Sequence, residues 1–418
     1  MNTVKIRTEL SREYIRPGRQ TVYLMVEIMT GESKADGERL PVNIGFVLDR
    51  SGSMAGEKLA YTKQAVSYAV GHLRPVDFAS LTVYDNAVET LLEAQHIVSK
   101  DAFKGTVSRI FPGGCTNLSG GLIAGYREVM KHNKPEQLNR VLLLTDGLAN
   151  EGITDKAVLC NKVKQMKKTG VTVTTLGVGD DFDEDLLTAM AEVSGGNYYF
   201  IENSDEIPQI FAKELQALLS VVAQNVKLQF SSSPSCAVTK VWGYQPAGDR
   251  ILSIHLPDLF SCDSKFILLE MQLHSETEGN QPLGKLTLSY DEAGEDLKCV
   301  TCDIDLSVQV TDDESMLATP DKPEVLVQLE LSRSAEIKEE AIRLADSGDV
   351  KGAASLLHKQ KNAIQDAMNV AFEEDCIELQ GEYEKLSEAM ISLERNEYDP
   401  IMRKKMSYQS YQRRRSQK

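Results

Sequence analysis

The chain has 418 residues, 42% hydrophobic and 26% charged, with a formal net charge of −16; this is the composition of a folded chain of two or three domains and excludes disorder of the whole. The acidic balance argues against nonspecific nucleic-acid binding by the body of the protein, because counterion release needs clustered cations. No apolar run reaches the roughly 18 to 20 residues that span a bilayer, no signal-peptide core follows residues 1–7, and seven cysteines, an odd number, suit a reducing compartment, so the expected localisation is cytoplasmic.

Residues 4–10 and 20–29 read as strands. From 41 to 221 short Val/Ile/Leu-rich runs alternate with helical stretches: strands at 42–48, 79–84, 141–145, 171–178 and 197–201, helices at 57–73, 118–132, 154–168, 183–193 and 205–221. This alternation predicts an α/β domain with a doubly wound, mostly parallel sheet of Rossmann-like type, helices on both faces, and a ligand crevice at the carboxyl ends of the strands where strand order reverses. Residues 222–312 are strand-like again, with turns at Pro234, Gly243, Gly248, Gly279 and Gly294. Residues 1–40 are too few for a core of their own, so the two β-rich pieces form one discontinuous β-sandwich into which the α/β domain, 41–221, is inserted.

Residues 320–396 are rich in Ala, Leu, Glu and Lys, break at Ser347-Gly348-Asp349, and carry Ala341, Leu344, Ala345, Ala353, Leu356 and Leu357 at helical spacing. Two or three antiparallel helices are expected, forming a bundle that packs on itself or on the sandwich. The 341–357 stretch has the look of one tetratricopeptide-like hairpin, without a second copy at a fixed period. Residues 397–418 form a basic tail with interleaved tyrosines in an acidic protein; nucleic acid, an anionic membrane face, an acidic surface of the same protein or of a partner, and simple solvation as a disordered end are all open to it.

The chemistry concentrates in the α/β domain. Asp49-Arg50-Ser51-Gly52-Ser53 leaves the apolar run 42–48, Gly113-Gly114-Cys115-Thr116-Asn117 is a glycine-rich loop, and Asp146 ends the apolar run 141–145. Asp49, Ser51, Ser53, Thr116 and Asp146 give two carboxylates and three hydroxyls, an all-oxygen donor set for a hard cation. Mg²⁺, which keeps several waters, suits so sparse a set; Mn²⁺ and Ca²⁺ are alternatives. Asp-x-Ser-x-Ser alone is only a capped turn, but three separated segments agree. In that order and spacing the five residues resemble the complete metal-ion-dependent adhesion site of von Willebrand factor A domains. The resemblance implies direct contact of the ion by Ser51 and Ser53, contact by Thr116 directly or through water, and water-mediated contact by Asp49 and Asp146. The insertion in a β-sandwich is similar to that of proteins resembling the inter-alpha-trypsin-inhibitor heavy chains.

With only two carboxylates, a bound ion attracts an incoming carboxylate. The expected function is therefore that of a noncatalytic intracellular adaptor whose Mg²⁺ captures an Asp or Glu of a protein partner, with no small-molecule substrate; by resemblance, MoxR-type AAA+ ATPases are one partner class. A metal-dependent hydrolase is the first alternative, but none of the six histidines falls in the three metal segments, and Glu57 and Glu151, the nearest other carboxylates, read as solvated. RNA binding through the basic tail is the second. Cys299-Val300-Thr301-Cys302 invites a zinc reading, against which stand its strand character and the irregular spacing of Cys236 and Cys262. Cys115 reads as a small residue filling space beside Thr116.

Overall fold

The computed structural model describes residues 4–32, 39–248, 251–293, 298–395 and 397–416. They form two compact units, one built on residues 33–221 and one on residues 1–32, 222–292 and 298–418. The expected turn at Gly294 and the last two residues of the tail, 417 and 418, lie outside the described residues.

The chain opens with β1 (Val4–Leu10), β2 (Tyr14–Ile15) and β3 (Gly18–Thr30), which belong to the second unit. The first unit is a six-stranded sheet of β4 (Val42–Asp49), β5 (Phe78–Tyr84), β6 (Val88–His96), β7 (Leu138–Thr145), β8 (Val171–Val178) and β9 (Tyr198–Ile201), in the order β6-β5-β4-β7-β8-β9. All pairs are parallel except β5 with β6. Six helices cover it: α1 (Glu57–His72), α2 (Lys100–Ser108), α3 (Leu118–Lys131), α4 (Lys156–Lys168), α5 (Glu184–Ser194) and α6 (Ile207–Leu219). Every residue of β4, β5 and β7 is buried, as strands sandwiched between two helical layers must be. Phe46 meets Phe103 of α2, and Thr174 of β8 bonds Glu214 of α6, on one face. On the other, Gly45 faces Val129 of α3 and Thr175 bonds the Leu187 carbonyl of α5. The antiparallel edge strand β6 and the nine-residue helix α2 were not expected from the sequence; β6 mixes Glu89, Thr90, Glu93 and Gln95 with its apolar residues and so lacks the run that marks an interior strand.

The second unit holds two sheets, completed by β10 (Val221–Ser232), β11 (Cys236–Val241), β12 (Ile251–His255), β13 (Leu259–Phe260), β14 (Ser264–Ser275), β15 (Gly279–Glu292) and β16 (Lys298–Val310). Their orders are β1-β3-β14-β11 and β12-β10-β15-β16-β2, with β13 paired to β10. Alternate residues of β3 (Leu24, Val26) and β14 (Ile267, Leu269) meet Phe230 of β10 and Leu286 of β15 in one apolar cluster, the period-2 pattern of a sandwich. The residues in between, Met25 and Leu268, face the other way and pack with Trp242 against Val325 and Leu329.

Those two lie on α8 (Pro323–Asp346), which follows the short α7 (Glu314–Leu317) and is joined by α9 (Val350–Met368), α10 (Glu373–Glu394) and α11 (Pro400–Arg414). Three of these long helices, α8, α9 and α10, fill residues 320–396, where two or three were expected; the fourth, α11, stands where a basic tail was read. The 350–394 stretch divides at Asn369–Phe372 because Glu373, Glu374 and Asp375 fill the first turn of α10, where carboxylates favour a helix start. Val327, Ala341, Leu357, Leu386 and Met406 share one core. The tail is not a solvated end: Asp399 caps α11 by accepting the Met402 N–H at 2.8 Å, Pro400 stands in its first turn, and Tyr411 is fully buried. Its cations pair with the acidic helices, Arg403 with Asp346 at 2.9 Å, Lys405 with Glu388 at 2.7 Å, Arg413 with Glu378 at 2.7 Å and Arg414 with Glu339 at 2.9 Å. Beyond the helix, the Phe266 N–H donates to the Ser416 hydroxyl at 3.1 Å.

Candidate metal centre

Strand order reverses between β4 and β7, which run in register up to the Leu48–Leu144 pair. Asp49, Thr145 and Asp146 follow at once, so both carboxylates emerge at the crevice that this topology creates. Asp49 and Asp146 are both inaccessible to solvent. One Asp49 oxygen accepts the Ser51 N–H at 2.8 Å and the other the Thr145 hydroxyl at 2.7 Å. Burial pushes the Asp49 carboxyl up to about 6, against the pull of the Ser51 and Thr145 hydrogen bonds and helped by repulsion from Asp146. The Ser51 and Ser53 hydroxyls are 3.1 Å apart, and Ser53 donates to Asp146 Oδ1 at 2.8 Å. Lys58, in the first turn of α1, donates to Asp146 Oδ2 at 2.6 Å.

Thr116 is brought in by the glycine loop. The Gly113 N–H donates to the Arg50 carbonyl at 2.6 Å and the Gly52 N–H to the Gly114 carbonyl at 2.9 Å, lashing this loop to the one that carries Ser51 and Ser53. Arg50 in turn pairs with Asp85 at 3.2 Å, and the Asn117 N–H donates to the Asp85 carbonyl at 2.9 Å. A Cβ at Gly113 would overlap the Asp85 carboxylate at 1.7 Å, so this position has no room for a side chain. The Thr116 carbonyl accepts the N–H groups of Asn150 and Glu151 at 3.2 and 3.3 Å, and its Oγ1 lies 3.3 Å from where a Cβ would stand on Gly147. Downstream, α3 sits close on the sheet through glycines: a Cβ at Gly121 would strike Tyr84 at 2.4 Å, and one at Gly125 would strike Val47 at 2.1 Å. That close approach fixes the amino end of α3, and with it Thr116 two residues earlier.

Of the five residues singled out from the sequence, Asp49, Ser51, Ser53 and Asp146 are joined by hydrogen bonds, and Thr116 stands beside Gly147, next to Asp146. The structure adds three that were missed. Thr145 orients Asp49, Asp85 anchors the glycine loop, and Lys58 pairs with Asp146. Thr145 had a signal, a hydroxyl one residue before Asp146 at a strand end. Lys58 had none, because a lysine in a first helical turn reads as solvated. Glu57 and Cys115 are exposed, Glu151 half-buried.

The donor set is all oxygen, two carboxylates withdrawn from water with the Ser51 and Ser53 hydroxyls between them and Thr116 Oγ1 beside Gly147, and its single basic neighbour among the described contacts is Lys58. Buried carboxylates call for positive charge, so these residues fit a hard divalent cation. Zinc finds no such set at Cys299 and Cys302: three positions apart on β16, they project to opposite faces of the strand. Among the described residues no group of three or more His, Cys, Asp or Glu converges, and all seven cysteines are free thiols.

Comparison with known proteins agrees with this fold. Residues 43–213 match the family model described as "von Willebrand factor type A domain". The chain is 26% identical over 361 residues to an uncharacterized protein of Synechocystis sp., covering 83% of this chain and 84% of that protein. It is 31% identical over 216 residues to the pig inter-alpha-trypsin inhibitor heavy chain H1, covering 48% of this chain but 23% of the heavy chain. Among solved structures, a von Willebrand factor type A protein from Catenulispora acidiphila superposes with a TM-score of 0.68 at 16% identity, over 90% of this chain and 89% of that one. At that identity the likeness is one of fold.

Proposed function

Because residues 43–213 form a von Willebrand factor type A domain, we propose that this chain is a noncatalytic intracellular adaptor that holds Mg²⁺ at Asp49, Ser51, Ser53, Thr116 and Asp146 and captures a carboxylate of a protein partner there. The observation that carries this reading is that two fully buried carboxylates meet at the strand-order reversal between β4 and β7, with the Ser51 and Ser53 hydroxyls linked to Asp146. When bound, the ion would supply a Lewis-acidic position open to an incoming Asp or Glu. The protein's own residues do the rest. Asp49, held by Ser51 and Thr145, has no freedom to turn, and the lashed glycine loop keeps Thr116 in place. Phe111 and Leu148, each exposed and each within five residues of a metal-segment residue, offer apolar surface for the partner on the same loops. A MoxR-type AAA+ ATPase is one candidate partner.

The placement of the histidines supports a noncatalytic role. His96 and His132 stack on Phe78 at 3.9 and 4.2 Å, six positions and about 20 Å back along β5 from Tyr84, which pairs with Asp49. His72 ends α1 with a ring nitrogen 2.9 Å from the Tyr68 carbonyl. None of these three imidazoles, the histidines of the α/β unit, therefore stands ready as the general base that hydrolysis at the metal would need. The ion pairs of α11 count against RNA binding by the tail, since Arg403, Lys405, Arg413 and Arg414 already face acids of the same chain. Exposed free thiols at Cys115, Cys262 and Cys299 fit a reducing compartment.

The test is a pull-down with wild-type protein and Asp49→Ala, each with Mg²⁺ and with EDTA, read by mass spectrometry. A partner retained only by wild type in Mg²⁺ is the expected result. Identical partners in all four conditions would remove the metal from the mechanism.

A further inference from the structure

In this site Asp146 is not free to give both its oxygens to a cation. Oδ1 accepts the Ser53 hydroxyl and Oδ2 the Lys58 ammonium. Lys58 is placed for this by the fold. It sits one residue inside α1, which starts four residues after Ser53, and its Nζ lies 3.6 Å from where a Cβ would stand on Gly179, a glycine at φ +77° at the end of β8. A Cβ there would stand in ordinary van der Waals contact with the ammonium, so the turn after β8 borders Lys58. The lysine side chain is 29% exposed while the carboxylate it meets is fully buried, so the pair spans the boundary between the crevice and solvent.

We infer that Lys58 is a resident third charge of the metal site, one that lowers its affinity for divalent cations and in return makes the loaded site select an anion; the inference rests on the metal reading given above. Two carboxylates and one ammonium sum to −1, so a dication at the five oxygen donors leaves the cluster at +1. Without the ammonium the loaded cluster would be neutral. A net positive, partly dehydrated centre attracts a carboxylate, and a neutral one attracts it much less. Lysine suits this task because its ammonium is a compact point charge on a flexible stem, able to stay near Asp146 while shifting away from the ion. The design gives up ion affinity for ligand selectivity, and it defines the partner's contact as a full carboxylate rather than an amide or hydroxyl.

The experiment is Mn²⁺ binding to the full chain, followed by loss of the free-ion resonance in electron paramagnetic spectra, for wild type, Lys58→Met, Lys58→Arg, Asp146→Asn and the Lys58→Met/Asp146→Asn double variant, with circular dichroism to verify folding. Lys58→Met is expected to bind Mn²⁺ about tenfold more tightly than wild type, the scale set by removing a unit charge a few ångströms from a dication near a surface. Lys58→Arg should stay near wild type, and the gain from Lys58→Met should shrink in the Asp146→Asn background. A second titration, acetate against acetamide on the Mn²⁺-loaded proteins, should show the preference for acetate reduced in Lys58→Met. Unchanged or weaker Mn²⁺ binding by Lys58→Met, with wild type binding well, would overturn the role of Lys58 and leave the metal site standing. Absence of binding by wild type and Lys58→Met alike would overturn the metal reading and this inference with it.

Discussion

Two lysine–carboxylate pairs in this protein have nearly the same length and opposite surroundings. In the metal crevice Lys58 reaches Asp146 at 2.6 Å with its side chain 29% exposed; in the helical bundle Lys338 of α8 reaches Glu382 of α10 at 2.8 Å with the two side chains 1% and 4% exposed. Burial disfavours ionised Glu382, yet Lys338, with Arg413 beyond it, holds that carboxyl below the usual range. The enclosed pair is withdrawn from bulk solvent, so its work is to fix how α10 lies on α8. The crevice pair runs from a buried carboxylate to a partly exposed ammonium, where, on the metal reading, a second cation would enter. Access to solvent, not bond length, separates a structural ion pair from one poised to exchange.

The largest effect should come from breaking the enclosed pair. Lys338→Met leaves Glu382 buried without its partner and is expected to destabilise the second unit by about 3–5 kcal/mol in urea denaturation. Lys338→Met/Glu382→Leu, which removes both charges, should recover most of that loss. A single variant as stable as wild type would show that water reaches Glu382, and the contrast with Lys58 would collapse.

The crevice makes the opposite prediction, that removing a charge stabilises. In metal-free protein Asp49 is raised from 3.8 to about 6 by burial, so between those values the native state holds more protons than the unfolded chain and stability falls as pH rises. Above pH 6 the penalty is fully present, roughly 3 kcal/mol for about two pK units. Asp49→Asn in EDTA should therefore be more stable than wild type by roughly 2–3 kcal/mol at pH 7.5, with the difference gone at pH 3.5. Equal stabilities at pH 7.5 would mean that Asp49 is better solvated than its burial indicates.

The legibility of these two regions in the sequence differs for the same physical reason. Asp49, Ser51, Ser53, Thr116 and Asp146 could be read because each stands beside an apolar strand or a glycine loop, and strand–loop–helix punctuation is local. The parallel sheet, its reversal point and the outer sandwich follow from period and run length. What stayed hidden depends on distant partners. Lys58 and Lys338 look like ordinary helical lysines until the carboxylates 88 and 44 positions away are folded against them. The edge strand β6 lacks an apolar run because only one neighbour covers it. Helix α11 was taken for a tail because its charge dominates its composition, although Asp399-Pro400 is a recognisable helix start.

A smaller effect on stability and a larger one on binding should come from Gly113→Ala. The added methyl meets the Asp85 carboxylate at 1.7 Å, so either Asp85 releases Arg50 or the glycine loop lifts. Overpacking of this kind costs about 1–3 kcal/mol, but a lifted loop takes Thr116 with it. Mn²⁺ affinity should therefore fall by about tenfold or more, a geometric loss of roughly 1.4 kcal/mol at the site alone. Wild-type affinity in a folded Gly113→Ala would show that the loop's lashing to Arg50 does not place Thr116.

The smallest effects belong to the exposed pairs of α11. Lys405 and Glu388 are 33% and 48% exposed, and such pairs contribute about 0–1 kcal/mol because water screens them and long side chains lose freedom. Lys405→Ala should shift the urea midpoint barely at all, and 0.5 M NaCl should leave α11 docked, since Met406 and Tyr411 are buried beneath it. The charges set the direction in which the helix lies on α8 and α10; the apolar residues hold it there. Protection of the α11 amides from hydrogen exchange in low and high salt is the measurement. Protection lost in high salt would mean that the ion pairs carry the docking and would restore the tail as a segment able to seek another acidic surface.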